Sequence, residues 1–103
     1  MIIYNVTVNI EKDLEQDWLQ WMREQHIPDV MGTGLFQKSR LFKVMVEEEQ
    51  GITYSIQYEV RDRETLQLYQ EVYAPKLQAE FRARYGDRAV SFRTLLQLES
   101  EHQ

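Results

Sequence analysis

The sequence predicts one small α+β domain of βαββαβ order, a four-stranded antiparallel sheet with two helices on one face. Three observations point there. Apolar and polar residues alternate in four separate stretches, at 2–10, 35–46, 52–60 and 89–99. Between the first and second stretches, and again between the third and fourth, the apolar period lengthens to that of a helix. A chain of 103 residues is long enough for one hydrophobic core and too short for two.

The first strand is the clearest. Ile2, Tyr4, Val6, Val8 and Ile10 alternate with Ile3, Asn5, Thr7 and Asn9. In the segment that follows, Leu14, Trp18, Leu19, Trp21, Met22, Gln25 and His26 fall within an arc of about 160° on a helical wheel. Asp13, Asp17, Gln20, Arg23 and Glu24 take the other side, and Asp13 is a candidate N-cap or first-turn acid. Pro28 is expected to end this helix, because proline lacks an N–H and disfavours helix at the residue before it. Proline also suits the first helical position, so a further short turn through Met31 is open. Gly32-Thr33-Gly34 then breaks the pattern.

The second strand, 35–46, is less regular. Phe36, Phe42, Val44 and Val46 share one parity with Lys38 and Arg40, as a bulge would produce. Glu47-Glu48-Glu49 with Gln50-Gly51 reads as the solvated turn of a hairpin. Ile52, Tyr54, Ile56, Tyr58 and Val60 then alternate with Thr53, Ser55, Gln57 and Glu59. Asp62 caps the second helix, whose Leu66, Tyr69, Tyr73, Leu77 and Phe81 keep one face for about four turns. Pro75 predicts a break after Tyr73. Gly86-Asp87 closes the helix. In the last strand Val90, Phe92, Leu96 and Leu98 oppose Ser91, Arg93, Leu95 and Gln97, and the first set is expected to face the helices. Residues 99–103 read as a frayed tail of a single domain spanning 1–103. The whole is the split βαβ, or ferredoxin-like, arrangement.

The parity facing away from the helices contains Asn5, Thr7, Asn9, Thr53, Ser55, Gln57 and Ser91, short and uncharged, with Ile3, Leu41, Met45 and Leu95 beside them. A solvated face ordinarily carries more Lys and Glu. This weakly charged face suits a partner sheet, and the commonest such pairing is twofold, so a homodimer through the sheet face is expected.

Composition narrows the function classes. Hydrophobic residues are 43% and charged residues 28%, an ordinary globular mix. The absence of cysteine removes disulfides, thiolate zinc sites and thiol catalysis. A net charge of −5 argues against a nucleic-acid partner. Tyr54 and Tyr58 lie where RNA-recognition domains carry stacking aromatics, but they share parity with Ile52 and Ile56 on the helix-covered side. No apolar run approaches the roughly 20 residues of a membrane span, and Met1-Ile2-Ile3-Tyr4-Asn5 has none of the features of a leader. A cytoplasmic protein with no membrane partner is expected.

His26 is the one histidine outside the tail that carries His102. On an apolar helix face its neutral-range pKa suits a pocket base or ligand; the competing reading is a histidine favoured by the helix C-terminus. No carboxylate stands at ligand spacing from it, so no metal and no cofactor are expected. His26, Trp21, Tyr58 and Tyr73 are the candidates for an aromatic ligand-binding cluster, with phenol hydroxyls supplying polar contacts. The other aromatics are assigned to the core. Arg40 and Arg93 lie mid-strand, where an arginine can take a carboxylate in a cleft. The expectation for both is solvent or an acid across the dimer. Leu68, Val72 and Ala79 form a minor apolar stripe on the second helix.

The strings MIIYNVTVNI, WMREQHIPDVMGTGLF, GITYSIQYEV and YAPKLQAEFRARYGDRAVSFRTLL together resemble a family of short bacterial proteins, the domain of unknown function 4286. The resemblance covers nearly the whole chain. It implies a dimeric α+β barrel, in which two ferredoxin-like sheets face each other with the helices outside. Members of that broader group include cofactor-independent monooxygenases, haem-degrading and chlorite-converting enzymes and stress-response proteins, and they often bind a ligand between sheet and helices. None of their catalytic motifs matches this chain, so the resemblance implies an architecture and no catalytic residue. The expected function is a homodimer that binds a small, partly apolar or aromatic molecule between sheet and helices. The alternatives are an interaction module without ligand or catalysis, and a cofactor-independent monooxygenase- or isomerase-like enzyme.

Overall fold

The period-two stretches become one sheet. The computed structural model describes residues 1–47 and 50–103, so Glu48 and Glu49 of the acidic turn lie outside the described residues. Strands β1 (Ile2–Ile10), β2 (Phe36–Lys43), β3 (Ile52–Val60) and β4 (Ala89–Gln97) lie in the order β2-β3-β1-β4, each antiparallel to its neighbour. Between them run α1 (Glu15–Trp21), a π-helical turn (Met22–His26), α2 (Ile27–Met31), α3 (Arg63–Val72) and α4 (Ala74–Tyr85), with 3-10 turns at Lys12–Leu14 and Gly86–Arg88. This is the ferredoxin-like βαββαβ order. The segment after β3 divides at Tyr73, with Pro75 in the first turn of α4, where its missing N–H costs nothing. The helical layer therefore holds three rods rather than two.

Register explains the core. Tyr4 pairs with Tyr58, Val6 with Ile56 and Val8 with Tyr54, and directly paired residues share a face. That face is buried beneath Trp18, Leu19, Met22, Val30, Leu66, Tyr69 and Leu77. Each such side chain contributes about 1.5–3 kcal/mol on burial. Asp62 caps α3, its Oδ1 accepting from the Thr65 backbone N–H at 2.8 Å and the Thr65 hydroxyl at 2.7 Å. Those bonds hold the Asp62 carboxyl below the usual carboxylate range. Asp13 does not cap α1 but is an acid in the 3-10 turn that leads into it. It instead pairs with Arg88 at 2.6 Å, and Arg88 also reaches Glu11 at 2.8 Å, tying the exit of β1 to the start of β4.

Pro28 does not end the first helix; the further turn through Met31 forms instead, as α2 with Pro28 in its first turn. Ile27, the residue before it, stays helical at φ −61°, and its N–H reaches back to the Met22 carbonyl. That longer bond is the π turn. The widened turn just before the proline accommodates the lost N–H and the bulky ring, so α1 passes into α2 without a break.

β2 is shorter than expected, ending at Lys43, and the predicted bulge lies between Phe36 and Lys38. Beyond that shift Leu41 pairs with Ile56 on the helix-covered face, not the open one, and Met45 lies past the strand in solvent.

The parity of β4 is the reverse of the expectation. Val6 pairs with Arg93, Val8 with Ser91 and Tyr4 with Leu95, so these residues face the helices. Val90, Phe92 and Leu96 pair with Asn9, Thr7 and Ile3 on the open face, where Val90 and Phe92 are 65% and 61% exposed. The physical reason is position. β4 is an edge strand with a single neighbour, and its most apolar parity lies on the uncovered side of the sheet. On that side Asn5, Thr7 and Ser55 form a neutral network in which the Ser55 hydroxyl donates to Asn5 Oδ1 at 2.6 Å. Arg40 meets Glu59 there at 3.5 Å.

Candidate functional site

Because β4 turns Ser91 and Arg93 toward the helices, a cleft remains between that strand and α4. Its floor is β1 and β3, through Tyr4, Val6, Val8, Ile56 and Tyr58; its walls are the π turn, α3 and α4. The cavity is about 90 Å³, several times the roughly 10–15 Å³ needed to hold a water by this measure.

His26 closes one side. His26 is the last residue of the π turn and lies on the apolar side of the segment. Its ring stacks on Trp21 at 4.9 Å between centroids and meets Phe81 edge-on at 6.0 Å, so its orientation is held from two directions. Its Nδ1 is buried with no hydrogen-bond partner in the protein. Burial, with a smaller push from the Arg93 charge, lowers its pKa to about 4 against the opposing pull of Asp29. The imidazole is therefore neutral near pH 7.

Three phenols share the floor and the α3 wall. Tyr4 lies 6.2 Å from Tyr58 and 5.9 Å from Tyr69 between ring centroids. Burial, reinforced by the neighbouring phenols, pushes the Tyr58 and Tyr69 hydroxyls well above their ordinary range, while Arg93 pulls slightly the other way. They are donors and acceptors, not bases. Arg93 is anchored by its Nε, which donates to the Tyr4 hydroxyl at 2.9 Å, with a longer contact of 3.4 Å from Nη1 to the Ser91 hydroxyl. Arg82 and Gln78 of α4 line the cavity from the opposite side.

The structure brings two of the four candidate residues, His26 and Tyr58, to the cavity wall. Trp21 lies behind His26 and contacts Phe81, Tyr85 and the Arg84 guanidinium instead of the cavity. Tyr73 is at the break between α3 and α4, 38% exposed, beside a separate shallow groove with Val72 and Lys76. Sequence reasoning weighed Arg93 as a cleft residue and preferred solvent or a dimer contact for it, and it missed Ser91. The available signal was Arg93 sharing a parity with Ser91 in a strand whose other parity is apolar at Val90, Phe92 and Leu96, with Thr94 the one polar residue among them. Among the described residues no group of three or more His, Asp and Glu is placed to hold a metal ion.

Residues 1–99 match the family described as "Domain of unknown function (DUF4286)". The chain belongs to that family. No curated protein compared with it matches. Among solved structures, this DUF4286 chain is similar to HapK from Hahella chejuensis, at 10% identity and a TM-score of 0.73, covering 100% of this chain and 98% of that one. It is also similar to a dimeric ferredoxin-like protein from an uncultured marine organism, at 14% identity and a TM-score of 0.64, with 98% and 97% covered. A third similar structure is an antibiotic biosynthesis monooxygenase, at 18% identity and a TM-score of 0.61, with 97% and 100% covered. At these identities the likeness establishes the fold alone. Among the described residues, no helix is long and apolar enough to cross a membrane.

Proposed function

We propose that this domain forms a homodimer and binds a small, partly apolar or aromatic molecule in the cleft between its sheet and its helices. The observation that carries the binding reading is His26, which lines the cleft and whose Nδ1 is buried without a partner. A buried unpaired polar atom costs about 1–3 kcal/mol. A ligand atom bonded to it recovers that loss. Apolar walls with a few convergent polar groups, here His26, Tyr58, Ser91 and Arg93, are the usual make-up of a small-molecule site. An imidazole held neutral down to about pH 4 is a weak base. That favours binding over proton transfer. The enzyme reading has the similarity to an antibiotic biosynthesis monooxygenase as its support, an analogy of fold.

Pairing through the open face of the sheet is supported by Val90, Phe92 and Leu96 on β4 and Phe42 on β2. All four are exposed apolar side chains flanking a neutral polar centre. The dimeric ferredoxin-like neighbour supports the same arrangement by analogy.

A thermal-shift screen of wild type against a metabolite library tests the binding reading, with His26→Phe alongside. The variant fills the space between Trp21 and Phe81 but removes Nδ1. A ligand at a hundredfold excess over its Kd adds about 2.7 kcal/mol of stability. A hit that loses most of its shift in His26→Phe supports the reading; hits unaffected by the variant place binding elsewhere and refute it.

A further inference from the structure

We infer that the cleft takes a planar organic anion, a carboxylate or enolate on an aromatic or conjugated frame, with its charged oxygens on the Arg93 guanidinium. This rests on the cleft being a binding site and adds the charge and shape of what fills it.

The argument begins with charge. The chain carries 17 acidic and 12 basic residues. Yet the cavity lining includes two arginines and no Asp or Glu. Arg40, Arg61, Arg84 and Arg88 each pair with a carboxylate. Arg23, Arg63, Arg82 and Arg93 have no such partner among the described residues, and of these Arg82 and Arg93 line the cavity. Arg93 is bonded only to neutral hydroxyls, through Nε to Tyr4 and weakly through Nη1 to Ser91. With Nε on Tyr4 and Nη1 only in a 3.4 Å contact, the Nη edge retains N–H donors that match the two oxygens of a carboxylate.

Shape supplies the second half. The surfaces adjoining Arg93 are aromatic: Tyr4, Tyr58 and Tyr69 from one side and Phe81 from the other. Offset or edge-on contact with a flat ring suits them. The unpaired His26 Nδ1 provides one further polar contact away from the charged group. A ligand cation is disfavoured twice, by the arginines and by the absence of any carboxylate in the lining.

The test compares 2-naphthoate, 2-naphthamide and protonated 2-naphthylmethylamine, followed by amide NMR signals of Phe81, Ser91 and Arg93 at low salt. Naphthoate is expected to bind about tenfold more tightly than the amide, as one charge-assisted contact supplies, with the ammonium weakest. Arg93→Gln is expected to abolish that preference. Arg82→Gln, on exposed helix surface and independent of β4 folding, is expected to lower it about threefold. Amide binding as tight as naphthoate, or an unchanged preference in both variants, overturns the anion inference and leaves the cleft standing as a binding site. If none of the three probes moves the cleft signals, the binding reading falls and this inference falls with it.

Discussion

Acid should weaken this protein through one histidine. The folded-state pKa of His26 is lowered from 6.5 to about 4, chiefly by burial. Between those values the unfolded chain binds a proton at this site and the folded chain does not. Stability from this group is therefore complete above pH 6.5 and declines as pH falls toward 4. At about 1.4 kcal/mol per pH unit, the gap amounts to about 3 kcal/mol in full and about 2 kcal/mol by pH 5. The assay is urea unfolding of wild type and His26→Phe at several pH values from 7.5 to 4.5. Carboxylates contribute the same acid dependence to both proteins, so the difference between the curves isolates His26. Wild type is expected to lose about 2 kcal/mol more than the variant between pH 7.5 and 5. Parallel curves would refute the reasoning, because they would mean that the imidazole titrates as it does in water.

Other predictions concern the turn, the helix and the open face. Gly51 sits at φ +72°, and a Cβ there would collide with the Asn9 side chain; Gly51→Ala should destabilise the fold by about 1–3 kcal/mol in urea unfolding. Pro28→Ala restores an N–H that the π turn now accommodates, so the turn should relax toward α-helix, and the Ile27 N–H should exchange its bond to the Met22 carbonyl for one to the Arg23 carbonyl, read by NMR across the hydrogen bond. Phe92→Asp should leave the monomer folded by circular dichroism but shift sedimentation equilibrium from twice the 12.4 kDa chain mass to the chain mass itself.

The strands were legible because the core faces one side of the sheet, and burial on one side imposes a period of two. Tyr4, Tyr54 and Tyr58 could be placed under the helices on that ground alone. The rule misplaced β4 for the same reason that it placed the others. Parity says which residues are alike, not which side is covered, and in β4 the apolar side is the open one. Arg93 was lost with it, although its neighbours Ser91 and Leu95 are on the same face. Pro28 misled in another way. Its steric cost is real, but the chain absorbs it through a π turn that no local pattern announces, and that turn positions His26. His26 itself was readable from its place on an apolar arc. Its lone Nδ1 was not, since an unpaired atom is a property of packing.

The most direct test of the account is a crystal structure of the protein with the compound giving the largest shift in the thermal screen. The account predicts electron density between β4 and α4, with a ligand atom within hydrogen-bond distance of His26 Nδ1. Density for that compound elsewhere, with the cleft filled by rearranged protein side chains, would contradict it.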